Sequence, residues 1–184
     1  MRMVELPADS STKLQRKGKP TMLRSFALLA MMTFLQTADP TLPPSDAHVK
    51  LTAVGLGVQV YKCAPGDGGY QWALVMPVAT LFDPTTHQAL GTHSVGPTWT
   101  WNDGSSITGT VLQKHPAADR ANVPWLLVAT HAVASPVGAL TDVTLVRRSD
   151  TQAGVPTMAC DAEHQNNEVR VPYQATYTFY TTSK

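Results

Sequence analysis

The chain has 184 residues, 43% of them hydrophobic, which fits one packed domain and excludes both a multidomain machine and a disordered polymer. Fourteen Lys and Arg stand against thirteen Asp and Glu, and only 15% of residues are charged, so no basic field exists to hold a nucleic-acid backbone. Fourteen Pro and twelve Gly argue for many turns and against long helices.

From the N-terminus, residues 1–24 carry six basic side chains (Arg2, Lys13, Arg16, Lys17, Lys19, Arg24) and two acidic ones, Glu5 and Asp9. An uncharged apolar run of eleven residues, Ser25 to Leu35, follows. It lies within the ~7–15 residues of a signal-peptide core and falls short of the ~20 that span a bilayer. Polar Gln36 and Thr37 then lead to Ala38, a small residue suited to cleavage, although Gln36 departs from the small-x-small pattern. This order predicts a signal peptide over residues 1–38, with Met22 as an alternative start; a buried helix or a retained anchor is the competing reading. Its removal leaves 146 residues with eight basic and eleven acidic side chains, a mildly acidic protein without a transmembrane segment, exported to the periplasm or the medium.

Residues 39–54 are Pro-rich and aperiodic and predict an extended arm, with a single β domain over 55–184. Gly57–Cys63 is β-branched and aromatic, and Pro65-Gly-Asp-Gly-Gly69 predicts a hairpin turn after it. Tyr70, Trp72, Leu74 and Met76 alternate with smaller or polar residues and predict one apolar face; Pro77 then marks an edge or a bulge. Short strands are expected at 78–82, 89–95 and 98–101, and Asn102-Asp-Gly-Ser105 predicts a tight turn into a strand over 106–113. Single helical turns are expected near 116–122 and 158–164. Trp125, Leu127, Ala129 and His131 share one face of a strand over 124–133, and 142–147 forms another. The clearest alternation is the last, with Val169, Val171, Tyr173, Ala175, Tyr177 and Phe179 facing one way. About eight or nine short strands between turns specify an all-β fold, a single antiparallel β-sandwich or β-barrel.

The two cysteines, Cys63 and Cys160, lack Cys-x-x-Cys spacing, and in an exported protein they read as one structural disulfide; two free thiols are the alternative. Thr92-His-Ser-Val-Gly96 imitates a nucleophile elbow around Ser94, but its first Gly is a Thr and a β-type segment follows instead of a helix. Gly55-Leu-Gly57 starts like a dinucleotide loop, yet Val60 replaces the third Gly and the segment runs into a strand. No cofactor is implied, and the two glycines instead mark a point where side chains would collide. The six His show no metal-binding spacing; His93, His131 and His164 with Asp103 or Asp161 could meet only through the fold, and His131 in phase with Trp125 also reads as a partly buried structural imidazole. Trp99 and Trp101 share a face beside a hairpin tip and are the best-placed exposed rings for a flat ligand, against ordinary core packing.

The order of these segments carries a resemblance. Gly57-Val-Gln-Val-Tyr-Lys-Cys63, Ala79-Thr-Leu-Phe-Asp83, Gly91-Thr-His-Ser-Val-Gly-Pro-Thr-Trp99, Asp103-Gly-Ser105, Val123-Pro-Trp-Leu-Leu127, Arg147 with Thr151 and Gly154, Cys160-Asp161 and Val171-Pro-Tyr-Gln-Ala-Thr-Tyr-Thr-Phe-Tyr180 together resemble domain-of-unknown-function family 3455 over about residues 55–180. The resemblance implies a single exported β-rich domain and supplies no catalytic residues. A malate-dehydrogenase-like label borne by some fungal members finds no counterpart here, because the dinucleotide loop fails in residue type and context. The favoured expectation is a non-catalytic envelope or secreted module that binds a small or saccharide-like ligand near His93, Trp99, Trp101 and Asp103. An enzyme, metal-assisted or acid–base, using His93, Asp103, His131 or His164 is the alternative, and a purely structural envelope protein is a third.

Overall fold

A computed structural model describes residues 38–134 and 137–183, so the signal-peptide expectation, Met22 included, lies outside the described residues save for Ala38. Eight segments rich in β-branched and aromatic residues form strands: β1 Ala47–Gly66, β2 Gly69–Phe82, β3 Ala89–Ser94, β4 Thr98–Trp101, β5 Ser106–His115, β6 Trp125–Ala134, β7 Leu145–Ala153 and β8 Glu168–Thr182. Each pairs antiparallel with the next, and β1 pairs with β8, so the sheet closes as an up-and-down barrel. Of the two architectures the sequence allowed, the barrel is realised.

Local chemistry explains the turns. Gly104 adopts φ +85°, which a side chain disfavours, and its N–H donates to the Trp101 carbonyl, closing the β4–β5 hairpin at the expected Asp-Gly. At Gly55 the reason is space: a Cβ there would lie 2.5 Å from the Tyr177 ring, so the expectation of a crowded glycine holds. No helix occurs among the described residues; the segments 116–122 and 158–164 are turns and bends, not helical turns.

β1 starts earlier than expected, and β7 starts later and runs on to Ala153. Residues 47–54, expected in an extended arm, are the first part of β1 and pair from Ala47↔Thr182 to Val54↔Thr176 with β8. Their strand state comes from this long-range partner, not from local alternation. Residues 142–144 precede β7, since Asp142 takes a positive φ of 66° in the turn before it.

The apolar interior holds Ala53, Leu81, Trp99, Ile107, Val128, Tyr177 and Phe179, contributed by most of the strands. A second, smaller cluster of Leu127, Leu145 and Tyr180, with Ala47 and Ala129 against it, packs separately. Of the face expected from Trp125, Leu127 and Ala129, Leu127 and Ala129 pack there, while Leu126 and Val128 join the main interior cluster. Residues 38–46 run beside this second face, where the Arg147 guanidinium donates to Asp39 at 2.7 Å and to the Thr41 hydroxyl and also lies 5.2 Å from the Trp125 ring. Fully buried Thr41 in turn donates to Asp39 from its hydroxyl and its backbone N–H.

Candidate functional site

The strands are unequal in length, and this shapes the site. β2 pairs with β3 only over Ala79–Phe82, and β4 pairs with β5 only over residues 106–108. The first part of β2 and the last part of β5 consequently extend past the short β3–β4 hairpin without a partner on that side. Pro77, with no N–H to offer a ladder, sits in this unpartnered stretch of β2. Leu74, Val75, Val111 and Leu112 are exposed along the two stretches.

Inside lies a cavity of about 230 Å³ whose lining comes from all eight strands, among them Gln59, Pro77, His93, Trp99, Val128, Arg148 and Tyr177. An adjoining space of about 380 Å³ shares Gln59, Leu74, Val111, Leu126 and Arg148 with it and adds Tyr61, Trp72 and Lys114. Bulges aim these side chains. The extra residue of β2, Val75, breaks the expected Tyr70–Met76 face: Leu74 pairs with Tyr61 and Met76 with Val60, so Met76 does not continue the phase of Trp72 and Leu74. In β5 a bulge at Leu112 brings Lys114 opposite Leu126, on the cavity side.

The polar groups in the wall are few and enclosed. Gln59 is fully buried, and among the described residues neither atom of its amide has a hydrogen-bond partner. The Trp99 indole N–H, on a ring only 1% exposed, is also without one. His93 stacks on Trp99 with ring centroids 4.6 Å apart, and its Nδ1 donates to the Thr98 carbonyl at 2.9 Å. Burial pushes its imidazole pKa down to about 3, the Arg148 charge adds to this and the Thr98 bond opposes it, so the ring is neutral with Nε2 as acceptor. Burial likewise raises the phenols of Tyr61, Tyr173 and Tyr177; Tyr61 donates to the Gly154 carbonyl, and the Tyr173 and Tyr177 hydroxyls meet at 3.1 Å. Arg148 donates from Nε and Nη2 to the Pro124 carbonyl at 3.1 and 2.8 Å.

Of the residues expected at a ligand site, His93 and Trp99 line this cavity and Trp101 and Asp103 do not. The rings of Trp99 and Trp101 are not exposed platforms: Trp99 is buried, and half-buried Trp101 packs edge-on against Phe179. Asp103 sits in the β4–β5 turn, at the other end of β4 from the cavity-lining Gly96 and Pro97. There it accepts from Ser105 and from the Ala139 N–H, which holds residues 137–144 against that end. Hydrogen bonds from Ser105 and Ala139 keep its carboxyl below the usual range.

The remaining candidates are scattered. His131 is exposed on β6, not partly buried, and His164 in the loop between β7 and β8 pairs with Asp161 at 2.6 Å. Among the described residues no three His, Cys, Asp or Glu side chains gather as metal ligands. Ser94 ends β3 and the chain turns into β4, so no helix follows to aim it. Cys63 and Cys160 form the expected disulfide, tying β1 to the loop before β8. The sequence reading missed Gln59 and Arg148 and read Tyr177 only as a residue of the last strand's apolar face. Polar Gln59 between Val58 and Val60, and Arg148 beside Arg147, were its only signals.

The family model described as Protein of unknown function (DUF3455) matches residues 44–181, well over half of the chain. No curated protein and no solved structure matches it.

Proposed function

The chain belongs to the DUF3455 family, and we propose that it is an exported, non-catalytic β-barrel that holds a small, largely apolar molecule in its interior. The observation that carries this reading is the enclosed Gln59 amide, with donor and acceptor both unpartnered on the wall of an aliphatic cavity. Leaving such a group unsatisfied costs ~1–3 kcal/mol, which a ligand offering a complementary polar atom recovers. An eight-stranded barrel has an interior about wide enough for one small ligand.

The lining selects among ligands. Val111, Leu126, Val128 and Val146 offer a sugar nothing to bond, so the expected saccharide-like ligand gives way to one with a hydrocarbon body. Acid–base catalysis needs a titratable pair, whereas the cavity presents a neutral His93 and, in its lining, no carboxylate. Export rests on the basic, apolar and small-residue order of residues 1–38 and is compatible with the disulfide. Among the described residues no helix is long and apolar enough to cross a membrane, a statement about helices alone.

The test is uptake of Nile red, an uncharged apolar dye, by the full chain. Dye fluorescence is expected to rise with native protein and to stay low with Val128→Trp, which fills the cavity, provided circular dichroism shows that the variant keeps its sheet. Failure of the native protein to take up the dye would favour a purely structural envelope role.

A further inference from the structure

β7 places two arginines in succession, and because side chains alternate along a strand they face opposite ways. Arg147 turns to the outer cluster and is neutralised by Asp39 at 2.7 Å. Arg148 turns inward, is 7% exposed, and lines both parts of the interior space. It is the one buried residue of fixed charge among the described residues. No carboxylate there pairs with it; it donates to a neutral carbonyl, that of Pro124. Buried guanidinium groups are ordinarily paired, since desolvating an uncompensated charge is expensive.

We infer that the molecule held in the barrel is a monocarboxylate with an apolar body, its carboxylate against Arg148 and its hydrocarbon part among Leu126, Val128 and Val146. This rests on the reading of the barrel as a container for a small ligand and adds the ligand's charge and head group. The other charged residue in the lining, Lys114, is also a cation, so both charges in the lining attract an anion. Two unpartnered N–H donors, those of Gln59 and Trp99, belong to the same wall and suit carboxylate oxygens. A phosphate dianion fits less well, because Lys114 is solvent-exposed and the one buried positive charge, Arg148, balances a single negative charge. The Arg148 field already acts on its neighbours, lowering the pKa of His93 and opposing the rise at Tyr61, Tyr173 and Tyr177.

Displacement of Nile red from the full chain by octanoate and by octanamide, which share size and shape and differ in charge, tests the inference. Octanoate is expected to bind at least about tenfold more tightly than octanamide, the scale of one charge-assisted hydrogen-bond pair. Arg148→Met should weaken octanoate by about tenfold or more and leave octanamide within about threefold. Should that variant fail to fold, the wild-type comparison decides alone, with Arg148→Lys expected to keep part of the preference. Equal displacement by both compounds overturns the carboxylate while leaving the apolar container intact. If Nile red itself does not bind, the container reading falls and the carboxylate with it.

Discussion

His93 shows how burial converts an ordinary side chain into a pH-dependent term. Its unfolded pKa is near 6.5 and its folded pKa about 3, so between these values the unfolded chain takes up a proton that the folded chain refuses. The stability that neutral His93 contributes is complete above pH 6.5 and drains away as the pH falls toward 3. Each pH unit in that window costs up to about 1.4 kcal/mol. Urea unfolding at pH 7.5 and pH 5 is therefore expected to show a loss for the wild type about 2 kcal/mol larger than for His93→Gln. Parallel losses in the two proteins would mean that the imidazole is not held neutral. The histidine was visible in Thr92-His-Ser as a candidate, but its enclosure was not, because nothing in that tripeptide says that Trp99 will stack on it.

Elements make sense only with their partners. Residues 39–46 lack periodicity, and the value of the segment lies in Asp39 and Thr41 reaching Arg147 across more than a hundred residues of sequence. Desolvation alone would raise the Asp39 carboxyl, but hydrogen bonds from Thr41 and the Arg147 guanidinium hold it below its usual range. Asp39→Ala should lower unfolding free energy at neutral pH by about 1–3 kcal/mol, as loss of a hydrogen-bonded charged partner does. Combining it with Arg147→Met should cost clearly less than the sum of the single changes; additive costs in that double-mutant cycle would argue against coupling. Strand phase follows the same logic. The Tyr70–Met76 alternation is correct residue by residue until the bulge at Val75, whose existence depends on the register with β1. In β8 no bulge intervenes over 173–179, and the alternation read from the sequence is the one observed.

At the scale of the molecule, the bond between Cys63 and Cys160 joins residues 97 apart, so it links the first strand to the chain just before the last. Around it Cys63 exchanges backbone hydrogen bonds with 166–167, and Trp72 donates to the Met158 carbonyl, so residues 158–167 lie against the first hairpin. By the chain-entropy argument a loop of this length is worth about 4–5 kcal/mol. Replacing both cysteines by alanine should lower stability by up to that amount in urea unfolding of the full chain; a fall under about 1 kcal/mol would show that β1–β8 pairing holds the ring without it.

The sequence by itself determined the β composition, the Asp-Gly turns, the alternation of the last strand and the disulfide, since each depends on residues close together or on there being just two cysteines. Which face of each strand looks inward was decided only when β1 closed on β8. A period of two says that neighbours point apart; it does not say which of them meets solvent. Arg147 and Arg148 are alike as letters, and closure sends one to Asp39 and the other into the cavity. Gln59, Trp99 and Arg148 line one cavity because the ring brings together side chains that lie far apart along the chain.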